Sequence, residues 1–142
     1  MRHGIIIVDH GSRRDESNHM LVQIAALFAQ RFAERYEIVE PAHMELAEPS
    51  IASAYARCVE RGAQRVIVCP FFLGPGKHWT QDIPRLTGEA ALRFPGTQYH
   101  VTPTLGIDDL ILDLLDKRAS QCVAEGFLCD SCRGTNRSGE NA

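Results

Sequence analysis

The 142-residue sequence contains no apolar run near the roughly 20 residues that a bilayer-spanning helix needs. Its opening, Met1-Arg2-His3-Gly4, passes straight into a strand pattern with no charged-then-apolar leader, so a soluble, cytoplasmic chain with no membrane partner is expected. Basic residues are not in excess: 15 Lys and Arg stand against 18 Asp and Glu, and the pI is near 6.0. That balance gives no sign of the basic surface on which nucleic acid binding depends, and no nucleic acid partner is expected. Neither G-x-x-x-x-G-K-[ST] nor G-x-G-x-x-G occurs, so no nucleotide is expected and an ATP-driven reaction is disfavoured. The five cysteines are odd in number, which argues against a disulfide framework and leaves thiolate or metal chemistry open. What remains is an ordinary globular composition, 44% hydrophobic and 23% charged, in a length that suits one domain able to bury a core unaided.

Four apolar, strand-like runs alternate with four helix-like segments. Residues 4 to 8 are a continuous β-branched run, and residues 17 to 35 place Met20, Ile24, Leu27, Phe28 and Phe32 at helical spacing. Residues 37 to 46 read as a second strand, with Pro41 favouring an edge or a bulge; Pro49 fits the first turn of a helix that Gly62 ends. Residues 65 to 73 form the strongest run, followed by Gly74-Pro75-Gly76-Lys77, a loop of residues that bend or stiffen the backbone. A helix from Ile83 to Phe94, a strand near Gln98 to Thr102 and an amphipathic helix over 107 to 124 complete the pattern. The fold class predicted is α/β: a four-stranded parallel sheet of order 2-1-3-4, runs one and three at its centre, with helices on both faces.

That order brings the carboxyl ends of strands one, two and three side by side, about 5 Å apart from strand to strand, where open α/β sheets bind ligands. The polar residues arriving there are His10, His43, Glu45 and His78. Two imidazoles and a carboxylate suit divalent cobalt, iron, nickel or zinc. His43 and Glu45, two residues apart, share a face of an ideal strand, and spacing alone does not choose between them. His3, His19 and His100 fall elsewhere and read as structural or surface residues. Arg2-His3-Gly4 spells the tripeptide of histidine phosphatases, but it precedes its strand and so belongs at the wrong end of the sheet.

Three motifs carry a resemblance: Val8-Asp9-His10-Gly11-Ser12-Arg13, Met44-Glu45-Leu46-Ala47-Glu48-Pro49-Ser50 and Gly76-Lys77-His78-Trp79-Thr80-Gln81-Asp82-Ile83-Pro84. In that order, over residues 4 to 120, the chain resembles the small class II tetrapyrrole chelatases of the CbiX and SirB type. The runs Val8–Arg14, Glu40–Leu46 and Pro70–Leu73 resemble the plant-type sirohydrochlorin ferrochelatases, which favours iron over cobalt. The resemblance implies a flavodoxin-like chelatase half-domain over residues 1–125 that acts on sirohydrochlorin as a homodimer, without a nucleotide. It also implies that His10 and His78 hold the metal and take the pyrrole protons, with Glu45 assisting. Sirohydrochlorin carries eight carboxylates, so Arg13, Arg14, Lys77 and Arg85, with Ser12, are the expected substrate contacts. Trp79 offers either an aromatic face to the macrocycle or packing under its loop, and packing is preferred.

Residues 126–142 form a polar, Gly-rich tail. The spacing Cys122-x6-Cys129-x2-Cys132 makes these three thiols candidates for an iron-sulfur cluster, which the plant-type relatives carry on a comparable tail. Ser138 stands where a fourth cysteine would be expected, so a complete ligand set would need Ser138, an outside thiol or the dimer partner. Cys58 and Cys69 read as small core residues. The leading expectation is ferrous iron insertion into sirohydrochlorin, in a plastid stroma if the chain is a processed plant or algal one. Its rivals are a cobaltochelatase of cobalamin synthesis, a non-catalytic metal-binding domain and a redox-sensing module.

Overall fold

In the computed structural model, which describes residues 1–128, 134, 137 and 139, the chain divides into two units, Met1–Leu105 and Gly106–Ala142. The first unit is built on four parallel strands, β1 (His3–Asp9), β2 (Ile38–His43), β3 (Arg65–Pro70) and β4 (Gln98–Val101). Their order is β2-β1-β3-β4, as the alternation of strands and helices predicts. Strand β1 is central because its run Gly4-Ile5-Ile6-Ile7-Val8 is buried on both faces, and each such side chain removed from water contributes about 1.5–3 kcal/mol.

One face of the sheet, through Ile6, Val8, Ile38, Val66 and Val68, packs on α2 (Ile51–Glu60) and α3 (Ile83–Ala91). The other, through Ile5, Ile7 and Val39, packs on Leu21 and Ala25 of α1 (Asp15–Arg31). Gly4 permits the close seat of α2: a Cβ there would stand 3.0 Å from the Cβ atoms of Cys58 and Ala63. Helix α1 opens with Asp15 and Glu16 and closes with Arg31, charges that complement its dipole.

Helix α1 runs over Asp15–Arg31 where 17 to 35 was expected, α3 ends at Ala91 and not Phe94, and the boundaries that shape the mouth of the sheet differ as well. Strand β2 stops at His43 instead of Leu46, because residues 44 to 49 leave the sheet and return, letting the His43 N–H donate to the Pro49 carbonyl at 2.8 Å. Helix α2 begins after Ser50, whose hydroxyl accepts the Ser53 N–H at 3.1 Å, so Pro49 lies outside the helix and not in its first turn. Strand β3 ends at Pro70, and the helical path resumes five residues before α3 as a π-helical turn, His78–Asp82.

The second unit contains α4 (Asp109–Ala124), capped by the Asp108 carboxylate, which accepts the Leu110 N–H at 2.9 Å. None of its residues is buried, and Leu110, Leu112, Leu114 and Leu115 are exposed. Among the described residues no helix is long and apolar enough to cross a membrane. Cys129, Cys132 and Ser138 lie outside the described residues; Cys122 is a half-buried free thiol near the end of α4.

Candidate metal centre

The mouth of the sheet is assembled where β1 and β2 finish level, Asp9 opposite His43. Past that point the two chains stay laced by backbone bonds: the Met44 N–H donates to the Asp9 carbonyl at 2.9 Å, and the Glu45 N–H to the His10 carbonyl at 3.1 Å. The next residue, Gly11, sits at φ +87 with its missing Cβ pointed at the Glu45 carbonyl, where a methyl group would approach to 1.8 Å. Only glycine fits that turn.

His10 emerges from the turn between two rings. It stacks on Phe72 with centroids 4.5 Å apart and planes at 30°, and it meets His78 edge to face at 4.6 Å and 81°. A centroid separation of 4.6 Å is compatible with two imidazoles meeting one ion, each metal–nitrogen bond spanning about 2.0–2.1 Å. His78 begins the π-helical turn, and its Nδ1 lies 3.0 Å from Asp82 Oδ2. A carboxylate can only accept, so Nδ1 donates and Nε2 is left with the lone pair that binds metal. π-helical turns of this kind are often found at functional sites.

Glu45 is joined to His10 through its backbone, while the residue is exposed at the rim. Among the described residues no group of three or more His, Cys, Asp or Glu side chains stands close enough to hold an ion. The fold therefore brings His10 and His78 together and leaves the Glu45 carboxylate outside that pair. His43, its rival on spacing, is fully buried with Nδ1 2.6 Å from Asp9 Oδ1. Its Nε2 is buried too and has no partner among the described residues, an arrangement that costs about 1–3 kcal/mol.

The expected substrate contacts lie on the segments that follow β1 and β3. The Ser12 hydroxyl accepts the Arg14 N–H at 3.0 Å, and the Ser12 backbone exchanges two hydrogen bonds with the Asn18 side chain, pinning the turn to α1. Arg13, Arg14 and Lys77 are exposed; Arg85, also exposed, pairs with Glu89 at 3.2 Å. Trp79 donates from its indole N–H to the Thr102 carbonyl at 2.8 Å and is half-buried, which is the packing role preferred above. His3 is exposed at the amino end of β1, His19 on α1 and His100 on β4. Burial pushes the Cys58 thiol up to about 12 and raises that of Cys69, so both behave as core residues and not as thiolates.

Three residues in or beside the motifs, Asp9, Phe72 and Asp82, touch the histidines and were not singled out from sequence. Asp82 alone left a readable signal, since it lies four residues after His78, the spacing of neighbours on a helix face. The expected helix start at Ile83 concealed it.

Comparison with known proteins decides the family. The CbiX family model matches residues 4–122. The chain belongs to the CbiX family. Over 138 residues this CbiX chain is 53% identical to the chloroplastic sirohydrochlorin ferrochelatase of Arabidopsis thaliana, covering 94% of the chain and 60% of that relative. Over 84 residues it is 44% identical to the sirohydrochlorin cobaltochelatase of Methanocaldococcus jannaschii, covering 59% and 57% of the two. The chain thus spans about three fifths of the length of these two curated relatives. Among solved structures, SirB from Bacillus subtilis with Fe3+ matches at a TM-score of 0.71 and 28% identity, over 85% of this chain and 47% of that one. The resemblance read from the three motifs holds, as does the α/β architecture.

Proposed function

We propose that the chain is an ATP-independent class II chelatase, a lyase that inserts ferrous iron into sirohydrochlorin to form sirohaem. The observation that carries this reading is the His10–His78 pair, 4.6 Å apart at the carboxyl ends of β1 and β3, in a CbiX chain that is 53% identical to a ferrochelatase. Insertion exchanges two inner pyrrole N–H protons for one divalent ion, so the site needs groups that hold a metal loosely and accept protons near neutrality. Imidazole does both. In this reading His10 and His78 present the ion to the ring and pass the two released protons to water, while Asp82 keeps His78 in the tautomer that binds through Nε2. Glu45 receives protons or completes the metal shell once substrate closes the mouth, and Ser12, Arg13, Arg14, Lys77 and Arg85 meet the peripheral carboxylates.

A second metal is supported by the Methanocaldococcus relative, and cobalt insertion is the alternative reading. Purified chain mixed with sirohydrochlorin and ferrous or cobaltous ion, without ATP, should metallate the macrocycle faster than the uncatalysed control in visible absorption. A rate equal to that control overturns the chelatase, and the faster of the two metals settles the assignment.

The same proposal extends to organisation. Residues 1–125 act as one chelatase half-domain with 126–142 as a tail, and the working unit is a homodimer. Support comes from the SirB match, which leaves room in that longer chain for a second half-domain. A monomeric mass in sedimentation overturns the dimer. Cys122, Cys129 and Cys132 are proposed cluster ligands, tested by anaerobic reconstitution: no visible charge-transfer band means no cluster. The compartment proposed is cytoplasm, or plastid stroma for a chain processed from a plant or algal precursor.

A further inference from the structure

We infer that the half-buried Asp9 and the buried His43 form a clasp that positions His10 against the Glu45 loop, and that His43 itself ligates no metal; the role assigned to the clasp rests on the metal-centre reading above. His43 is the one fully buried histidine among the described residues. A ligand must meet its ion, and its Nε2 is sealed from solvent with no partner among the described residues. What His43 does touch is Asp9 Oδ1, at 2.6 Å, and that same oxygen accepts the Gly11 N–H at 3.0 Å. One carboxylate oxygen thus ties the last residue of β2 to the residue after His10.

The rest of the turn leaves little slack. The His10 carbonyl accepts the Glu45 N–H, the Asp9 carbonyl accepts the Met44 N–H, and Gly11 has no room for a Cβ above the Glu45 carbonyl. His10 is therefore bracketed on both sides by atoms whose positions depend on the Asp9 carboxylate. Loss of the imidazole donor frees that carboxylate to turn, unties Gly11 and shifts the ring that stacks on Phe72 and faces His78. His43 and Asp9 are positioning residues.

The test compares His43→Asn, whose amide nitrogen falls near the place of Nδ1, with His43→Gln, whose longer side chain puts its amide nearer the place of Nε2. Cobalt affinity is titrated without tetrapyrrole, amide exchange is followed at Gly11, Met44 and Glu45, and thermal midpoints establish that each variant is folded. Gln should weaken cobalt binding by about 10- to 100-fold, the effect of losing a group that orients a ligand, and should speed exchange at the three amides. Asn should restore most of both. In an Asp9→Ala background His43→Gln should add no further loss. Equal weakening by Asn and Gln with the amides still protected makes His43 a ligand and overturns the clasp, as does wild-type behaviour of both variants. Absence of cobalt binding by the wild type would sink the metal-centre reading alone, and the exchange arm would still decide whether the clasp exists.

Discussion

The two histidines that meet at the mouth of the sheet are supported in opposite ways. His10 stands on a turn whose neighbours are laced to β2 by backbone bonds and by a carboxylate shared between Gly11 and a fully buried imidazole. His78 stands at the head of a π-helical turn after a glycine-rich loop; its side chain is 46% exposed, and its ring is steadied by Asp82. Adding a Cβ tells the same story: at Gly11 it strikes a carbonyl at 1.8 Å, and at Gly74 and Gly76 it meets nothing within 4 Å. One side of the site is a fixed jaw made of sheet, and the other is an open one made of loop. In the proposed chelatase the open jaw would admit a large flat ligand while the fixed jaw holds the ion.

Removing either ring should have the largest effect. Both His10→Ala and His78→Ala should lower the metallation rate by about 10²-fold or more, the usual loss when a positioned acid or base is removed, as read by visible absorption. If one variant keeps wild-type rate, the two jaws do not share one ion.

Backbone substitutions sharpen the contrast next. Gly11→Ala should destabilise the chain by about 2–4 kcal/mol, from strain at φ +87 and collision with Glu45. Gly76→Ala should fall within about 0.5 kcal/mol of wild type. Thermal unfolding of the pair separates a packed turn from a free loop.

The open jaw has its own dependence. Asp82→Ala should weaken cobalt binding by about 10-fold with little change in unfolding midpoint, because Asp82 orients His78 at the surface without supporting the core. Equal losses of affinity and stability would place His78 on a structural element after all.

The last effect is confined to alkaline pH and belongs to the amino end of β1, where Cys58 lies against Gly4. Its thiol is pushed from 9.0 up to about 12 by burial, so the unfolded chain loses this proton first as pH rises. The contribution is whole below pH 9 and is lost between 9 and about 12, at up to about 1.4 kcal/mol per pH unit. Tyr55, also raised by burial, acts in the same direction. Stability curves of wild type and Cys58→Ala against pH isolate the cysteine, and parallel curves would refute its part.

Residues 4 to 8 and 65 to 73 read as central strands because a strand covered on both faces has no polar side to show, although β3 ends at Pro70. Pro41, which gives the ladder no donor, favoured an edge or a bulge for β2, and β2 lies at the edge of the sheet. Strand order brought His10, His43, Glu45 and His78 to one mouth, and the resemblance to the chelatases singled out His10 and His78 among them. Less legible were the places where strands give way to loops, because hydrogen bonds between distant residues set them: Pro49 with His43, Phe71 with Val8, Leu105 with Phe72.

The amino-acid sequence by itself determined the layer architecture, the strand order and which polar residues lie near one mouth, because apolar periodicity and connection rules act locally and repeat along the chain. The tertiary structure alone decided that His43 turns inward to Asp9, that Phe72 backs His10 and that Glu45 stands at the rim. Those outcomes depend on angles between loops from three strands, and no spacing along one chain encodes the direction in which a side chain meets another across such a gap.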